Sequence, residues 1–193
     1  TYPNFTIKPG EKVLLTGDSG TGKSTLFKAL LEKIETKCGK ITYFDKESRP
    51  ITNASLGYLP QDPIVFPISI KDNITMFVKR TEKQLMNVIN NVELKNDLDK
   101  MPSGIDTEVN LKKNNLSGGQ RQKIVLARSE IYHQPFVLMD EVTSAIDQKA
   151  TEEIITALLK TDQTILMIAH NFTPELRAKF DQEIKLAKKG EEE

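Results

Sequence analysis

The chain has little of what marks several large classes of protein. Its single cysteine, Cys38, excludes an internal disulfide and a cysteine-rich zinc site, and makes a reducing compartment the natural setting. Only two histidines, His133 and His170, are present. Lys plus Arg number 27 and Asp plus Glu also 27, so no net field draws the chain towards nucleic acid or an acidic lipid surface, and no nucleic-acid partner is expected. No apolar run approaches the roughly 18 to 20 residues needed to cross a bilayer. The chain begins at Thr1 with neither a start methionine nor a signal-peptide pattern, which reads as a piece of a longer polypeptide or a trimmed chain. There is no internal repeat, and no low-complexity tract apart from the acidic tail 191–193, expected to be frayed. Asn-x-Ser/Thr triplets begin at Asn4, Asn53, Asn73, Asn115 and Asn171, but nothing else points to secretion.

What is present suits one compact domain: 193 residues can bury a real core but hardly two. Strand-like and helix-like segments alternate. "KVLLTG" (12–17) is an apolar run ending in glycine, and Leu26, Phe27, Leu30, Leu31 and Ile34 give helical spacing over about 23–33. "KITYFD" (40–45) and "SLGYLP" (55–60) read as strands. Residues 69 to about 100 are helical and polar, with Leu85, Val88, Ile89 and Val92 on one face, and a turn-rich bridge follows. Then come a helix with Ile124, Ala127 and Ile131 in register, a strand "FVLMD" (136–140), a helix carrying Ala150, Ile154, Ala157 and Leu158, a strand "TILMIA" (164–169), and a short last helix. The alternation predicts an α/β fold with a parallel sheet covered on both faces. Residues 69–115 break it and, with the helix after them, read as a helical subdomain over about 69–131 within a single 1–193 domain.

Three stretches carry chemistry. "GDSGTGKS" (17–24) fits G-x-x-x-x-G-K-[ST] between a strand and a helix. Gly17, Gly20 and Gly22 let backbone amides of a loop that includes Asp18, Ser19 and Thr21 converge on phosphate oxygens. Lys23 reaches the terminal phosphates, and the Ser24 hydroxyl suits Mg²⁺. A glycine-rich turn that only caps a helix is the plainer alternative, and the agreement of pattern with context disfavours it. "FVLMDE" delivers Asp140 and Glu141 at the C-terminal end of a buried strand, where open α/β sheets bind ligands. Beside a phosphate loop, Asp140 suits the Mg²⁺ shell and Glu141 suits polarisation of an attacking water. "LSGGQRQKIVLARSEI" (116–131) places Gly118 and Gly119 after Ser117 at a helix start, a second anion-binding terminus that one active site does not need. Either it serves a nucleotide held mainly by another subunit, or Ser117 is simply an N-cap with glycines for loop geometry.

In this order "GDSGTGKST", "YLPQD", "LSGGQ", "FVLMDE", "SAID" and "AH" resemble the ATP-binding cassette family, the nucleotide-binding domains of ABC transporters, over about residues 12–170. The resemblance implies a P-loop NTPase (RecA-like) parallel-sheet core with an inserted α-helical subdomain and a truncated or partly missing N-terminal antiparallel β subdomain. It implies ATP and Mg²⁺ as ligands, with residues 17–25, Thr25 included, around the phosphates. Gln61 would touch Mg²⁺ or water and sense a transmembrane partner. Ser117, Gly118, Gly119 and Gln120 would face the γ-phosphate in an opposing subunit, Asp147 would lie at the dimer seam, and His170 would contact the γ-phosphate. Tyr2 resembles the aromatic on which the adenine stacks. Without the resemblance, His170, His133, Gln61 and Cys38 read as ordinary residues.

"QDPIVFPISIKDNI" (61–74), "GIDTEV" and "LSGGQRQKIVLAR" are similar to the exporter branch, whose own polypeptide usually carries the membrane helices. That implies an ATPase at the cytoplasmic face of a membrane, partnered by a second cassette and by a transmembrane domain. Two features depart from the pattern. "NLKKNN" (110–115) stands where exporters carry a "GERG"-like loop, and only 13 residues, "NFTIKPGEKVLLT", separate Pro3 from Gly17. A soluble ATPase of the same superfamily and a non-hydrolysing regulatory module remain alternatives. Only 55 residues separate Gln61 from Ser117 (117 − 61 − 1), with no sustained heptads for the coiled coil of the DNA-end type.

Overall fold

The structure, a computed structural model, describes residues 2–36, 39–45, 49–51, 54–170 and 172–187. Cys38, the triplets at Asn53 and Asn171, and the acidic tail lie outside these residues. The chain divides into two compact units: Thr1–Tyr58 with Gln134–Asp140 and Asp162–Glu193, and Leu59–His133 with Glu141–Thr161.

The first unit is built on a five-stranded sheet of β1 (Lys12–Gly17), β4 (Leu56–Leu59), β5 (Phe136–Asp140), β6 (Thr164–Ile168) and β7 (Gln182–Leu186), in the order β4-β5-β6-β1-β7. Strands β1, β5 and β6 pair in parallel, β6 lying between the other two. They are buried almost end to end, which is why they read as unbroken apolar runs. Strand β4 forms one edge. Helix α1 (Lys23–Leu30) packs Leu26, Phe27 and Leu30 on Val13, Leu15, Leu138, Leu166 and Ile168. It ends short of the expected residue 33, because Glu32 turns to φ 54°.

The other edge is β7, parallel to β1, where the sequence predicted nothing beyond a short helix. That helix is α7 (Pro174–Arg177). In β7 only Ile184 and Leu186 are buried, alternating with exposed Glu183 and Lys185, the pattern of a half-covered edge. The expected strand over 40–45 is reduced to β2 (Tyr43–Phe44), paired antiparallel with β3 (Pro50–Ile51), and this pair is what is described of the antiparallel β part.

The second unit is helical: α2 (Ile70–Thr75), α3 (Glu82–Asn91), α4 (Lys95–Leu98), α5 (Gly118–Tyr132) and α6 (Gln148–Leu159). The helical stretch expected over 69–100 is thus three helices. Met76, Phe77 and Glu93 adopt left-handed backbone (φ 46°, 64° and 55°), which no helix continues through. Leu85, Val88, Ile89 and Val92 do share a buried face, and Ile124, Leu126 and Ala127 of α5 are buried as well. Asn73, fully buried, donates to the carbonyls of Phe66, Ile68 and Ser69 and accepts from Phe66 N–H, so its triplet offers no glycan site. Arg128 of α5 donates to the Asn73 and Ile64 carbonyls, tying that helix to the loop after Gln61. Among the described residues no helix is long and apolar enough to cross a membrane.

Candidate nucleotide-binding site

In the first unit the loop between β1 and α1 is shaped by its glycines. Gly17 has φ 140°, and a Cβ there would stand 2.4 Å from the Leu186 carbonyl oxygen of β7, so no side chain fits. Gly20 and Gly22 sit at φ 83° and 96°, and a Cβ on Gly20 would meet nothing within 4 Å. Gly22 is the N-cap of α1 and brings no capping side chain, which leaves the amides of Lys23, Ser24 and Thr25 without intrahelical partners at the positive end of the helix dipole. Lys23, 7% exposed, folds its ammonium onto the carbonyls of Gly17 (2.7 Å) and Asp18 (2.9 Å). Thr21 also turns back on Asp18, donating to that carbonyl from its amide and its hydroxyl. Ser19, Ser24 and Thr25 are exposed.

Tyr2 lies against this loop: its hydroxyl donates to the Gly22 carbonyl at 2.9 Å. Burial pushes the Tyr2 hydroxyl pKa up, opposed by its bond with Thr25. Asp140 ends β5, buried, and the Tyr58 hydroxyl of β4 hydrogen-bonds its carboxylate. The Tyr58 pKa is raised by burial first, then by the Asp140 charge and that bond. Sequence reading passed over Tyr58; its signal was a phenol three residues before Gln61 on a predicted strand. His170 is exposed just beyond β6, its carbonyl accepting from Arg177 at 3.5 Å. Uncapped amides, an ammonium, two hydroxyls and a strand-end carboxylate are the donor set that a polyphosphate and a hard cation require, so the residues present fit ATP and Mg²⁺.

The second unit carries the other expected residues. Gln61 and Glu141 are brought together, the amide donating to the carboxylate at 3.1 Å. Glu141 sits at φ 50°, in the left-handed region that non-glycine residues adopt uncommonly and at a cost. Ser117 is the N-cap of α5 in a capping box: its Oγ accepts from Gln120 N–H (3.1 Å) and Gln120 Oε1 accepts from Ser117 N–H (2.9 Å). Gln120 also donates to Asp97 of α4. The glycine pair has a packing duty within this unit, since a Cβ on Gly119 would stand 2.8 Å from the Ala145 carbonyl oxygen and one on Gly118 3.3 Å from the Ala145 methyl. Asp147 caps α6 by accepting from Ala150 N–H at 3.0 Å. The "NLKKNN" loop is amide-built: Asn110 accepts from the amides of Lys112 and Lys113, and Asn115 ties Asn110 to the Glu108 carbonyl. Gln122, 3% exposed, was not singled out from the sequence, yet its side chain reaches Gln61, Ser144 and Ala145.

The profile of the ABC transporter family matches residues 2–144. The mesentericin-Y105 transport/processing ATP-binding protein MesD of Leuconostoc mesenteroides is 36% identical over 180 residues, covering 88% of this chain and 24% of the relative. The transport/processing ATP-binding protein ComA of Streptococcus pneumoniae is 33% identical over 176 residues, with the same coverage. The chain therefore spans about a quarter of these relatives. Among solved structures, a bacterial Atm1-family ABC exporter with ATP bound superposes with a TM-score of 0.80 at 27% identity, covering 94% of this chain and 33% of that one. Most of the chain, and the loop that its glycines shape, falls inside these matches, and the chain belongs to the ABC transporter family as one of its ATP-binding domains.

Proposed function

We propose that this domain hydrolyses ATP to power export across a membrane, working at the cytoplasmic face as one of a pair of cassettes joined to a transmembrane domain. The observation that carries the reading is the glycine-shaped loop closed by Lys23 at an uncapped helix terminus. Lys23 and the amides of residues 20–25 hold the phosphates, and Tyr2 offers its ring to the base. Mg²⁺, held by Ser24 and Asp140 with Gln61, would supply charge neutralisation at the transferring phosphate. Glu141 accepts a hydrogen bond from the attacking water and aligns it, Gln61 holding the carboxylate meanwhile, and His170 steadies the terminal phosphate. Ser117, Gly118, Gly119 and Gln120 complete the site of the opposing cassette, with Asp147 at the seam. Residues 1–193 act as one cassette, with about 69–131 as its helical subdomain. Support for a membrane partner comes from apolar side chains exposed on the second unit, Ile64, Phe66, Phe77 and Val78.

The Glu141→Gln variant tests the reading, because it keeps the shape and an acceptor for Gln61 while removing the base. ATP binding should persist, turnover should fall roughly 100- to 10,000-fold, and light scattering should show an ATP-dependent dimer. Turnover at the parental rate would refute the role of Glu141.

A further inference from the structure

Gln122 lies two residues beyond "LSGGQ" and has been given no role above, yet it is the most buried polar side chain of α5. Its Nε2 donates to the Gln61 carbonyl at 3.4 Å and to Ser144 Oγ at 3.3 Å, and its Oε1 accepts from Ala145 N–H at 3.1 Å. Both amide protons and the carbonyl are thus engaged, on two different loops. These bonds close a ring. From the Glu141 carboxylate it runs to the Gln61 amide (3.1 Å), through the Gln61 backbone to Gln122, then to Ser144, whose N–H returns to the Glu141 carbonyl at 3.0 Å. Glu141 is held from both sides, by its carboxylate and by its own backbone turn.

That ring surrounds a residue at φ 50°, a conformation that persists only where the surroundings over-determine it. We propose that Gln122 is a positioning residue for Glu141, clamping the loop 141–146 and the Gln61 backbone so that the carboxylate keeps the one direction useful for water. This rests on the role of Glu141 given above. A side chain of this length that donates twice and accepts once is needed. Met has the length without the polarity, and Glu has the acceptor without the donors.

The test is Gln122→Met, alone and combined with Glu141→Gln, measured by single-turnover hydrolysis, ATP binding and thermal unfolding. Displacing a catalytic group by a fraction of an ångström to an ångström should lower kcat roughly 10- to 100-fold while leaving ATP affinity unchanged. In the Glu141→Gln background the same substitution should cause no further loss, because the two residues act as a unit. Parental kcat in Gln122→Met, or an equal fold loss in both backgrounds, overturns the proposal. If Gln122→Met does not fold, Gln122→Glu replaces it, with the same expected and overturning results. Parental turnover in Glu141→Gln alone would instead refute the assignment on which the proposal depends, and the single variant separates that failure from the other.

Discussion

Replacing Gly119 with alanine sets two effects against each other. In a helix, alanine is favoured over glycine by roughly 1 kcal/mol, so Gly119→Ala in the first turn of α5 would ordinarily stabilise. Here the new methyl stands 2.8 Å from the Ala145 carbonyl oxygen, about 0.5 Å inside the closest comfortable C···O approach. Relief requires the backbone at Ala145 to move, and that backbone is held by Gln122 and by the Ile146 N–H bond to the Thr143 carbonyl. Overpacking of this kind costs about 1–3 kcal/mol and exceeds the propensity gain, so Gly119→Ala should destabilise by roughly 1–2 kcal/mol. Gly118→Ala is the internal control: it has the same chemistry one residue away, but its methyl would meet only the Ala145 side chain, at 3.3 Å. Its net change should stay within about 0.5 kcal/mol of zero. Equilibrium urea unfolding followed by circular dichroism, with both variants beside the parent, gives the difference directly. Equal stability of the two, or a more stable Gly119→Ala, would refute the claim that the glycine pair is required by its approach to Ala145.

Burial raises the pKa of Glu130, against the Asn91 hydrogen bond and the nearby His133 charge, which lower it. A carboxyl with a raised folded pKa binds its proton more tightly when folded, so stability falls as pH rises from the unfolded carboxylate range near about 4.3 through the folded pKa. Glu130→Gln should abolish that fall and raise the melting temperature at pH 7 relative to the parent; a parallel pH profile for the two proteins would count against it. Tyr2→Ala should weaken ATP binding roughly 10-fold through lost stacking, whereas Tyr2→Phe, which keeps the ring and loses the hydroxyl's bonds to the Gly22 carbonyl and to Thr25, should bind nearly as well. Equal affinities for both variants and the parent, by calorimetry, would remove Tyr2 from the base site.

Strands β1 and β5 were legible to the residue, because a parallel strand buried on both faces leaves an apolar run whose ends are its ends. The phosphate loop was legible because only glycine tolerates the positive φ of Gly20 and Gly22. Strand β7 was hidden, since an edge with Ile184 and Leu186 set among charges resembles a solvated surface. The breaks at Met76, Phe77 and Glu93 were hidden for another reason. Those residue types do not announce left-handed backbone, and tertiary packing imposes it. Long-range partners were the least visible: nothing local to Gly119 mentions Ala145, nor does anything local to Gln122 mention Gln61 or Ser144.

The pairing of β1 with β7 also bears on the order in which the protein can assemble. Asp181, just before β7, accepts from the Lys12 amide and donates to the Lys12 carbonyl, a contact 169 residues apart in the chain, and Gly17 is fitted against Leu186 at the far end of the same ladder. Closing so long a loop carries its entropic cost before any reward, which slows folding. On the ribosome, the phosphate loop is translated well before β7 and acquires its final wall only when β7 emerges. Premature termination before residue 182 should therefore leave a chain that has every motif of the nucleotide site and a phosphate loop without its outer support.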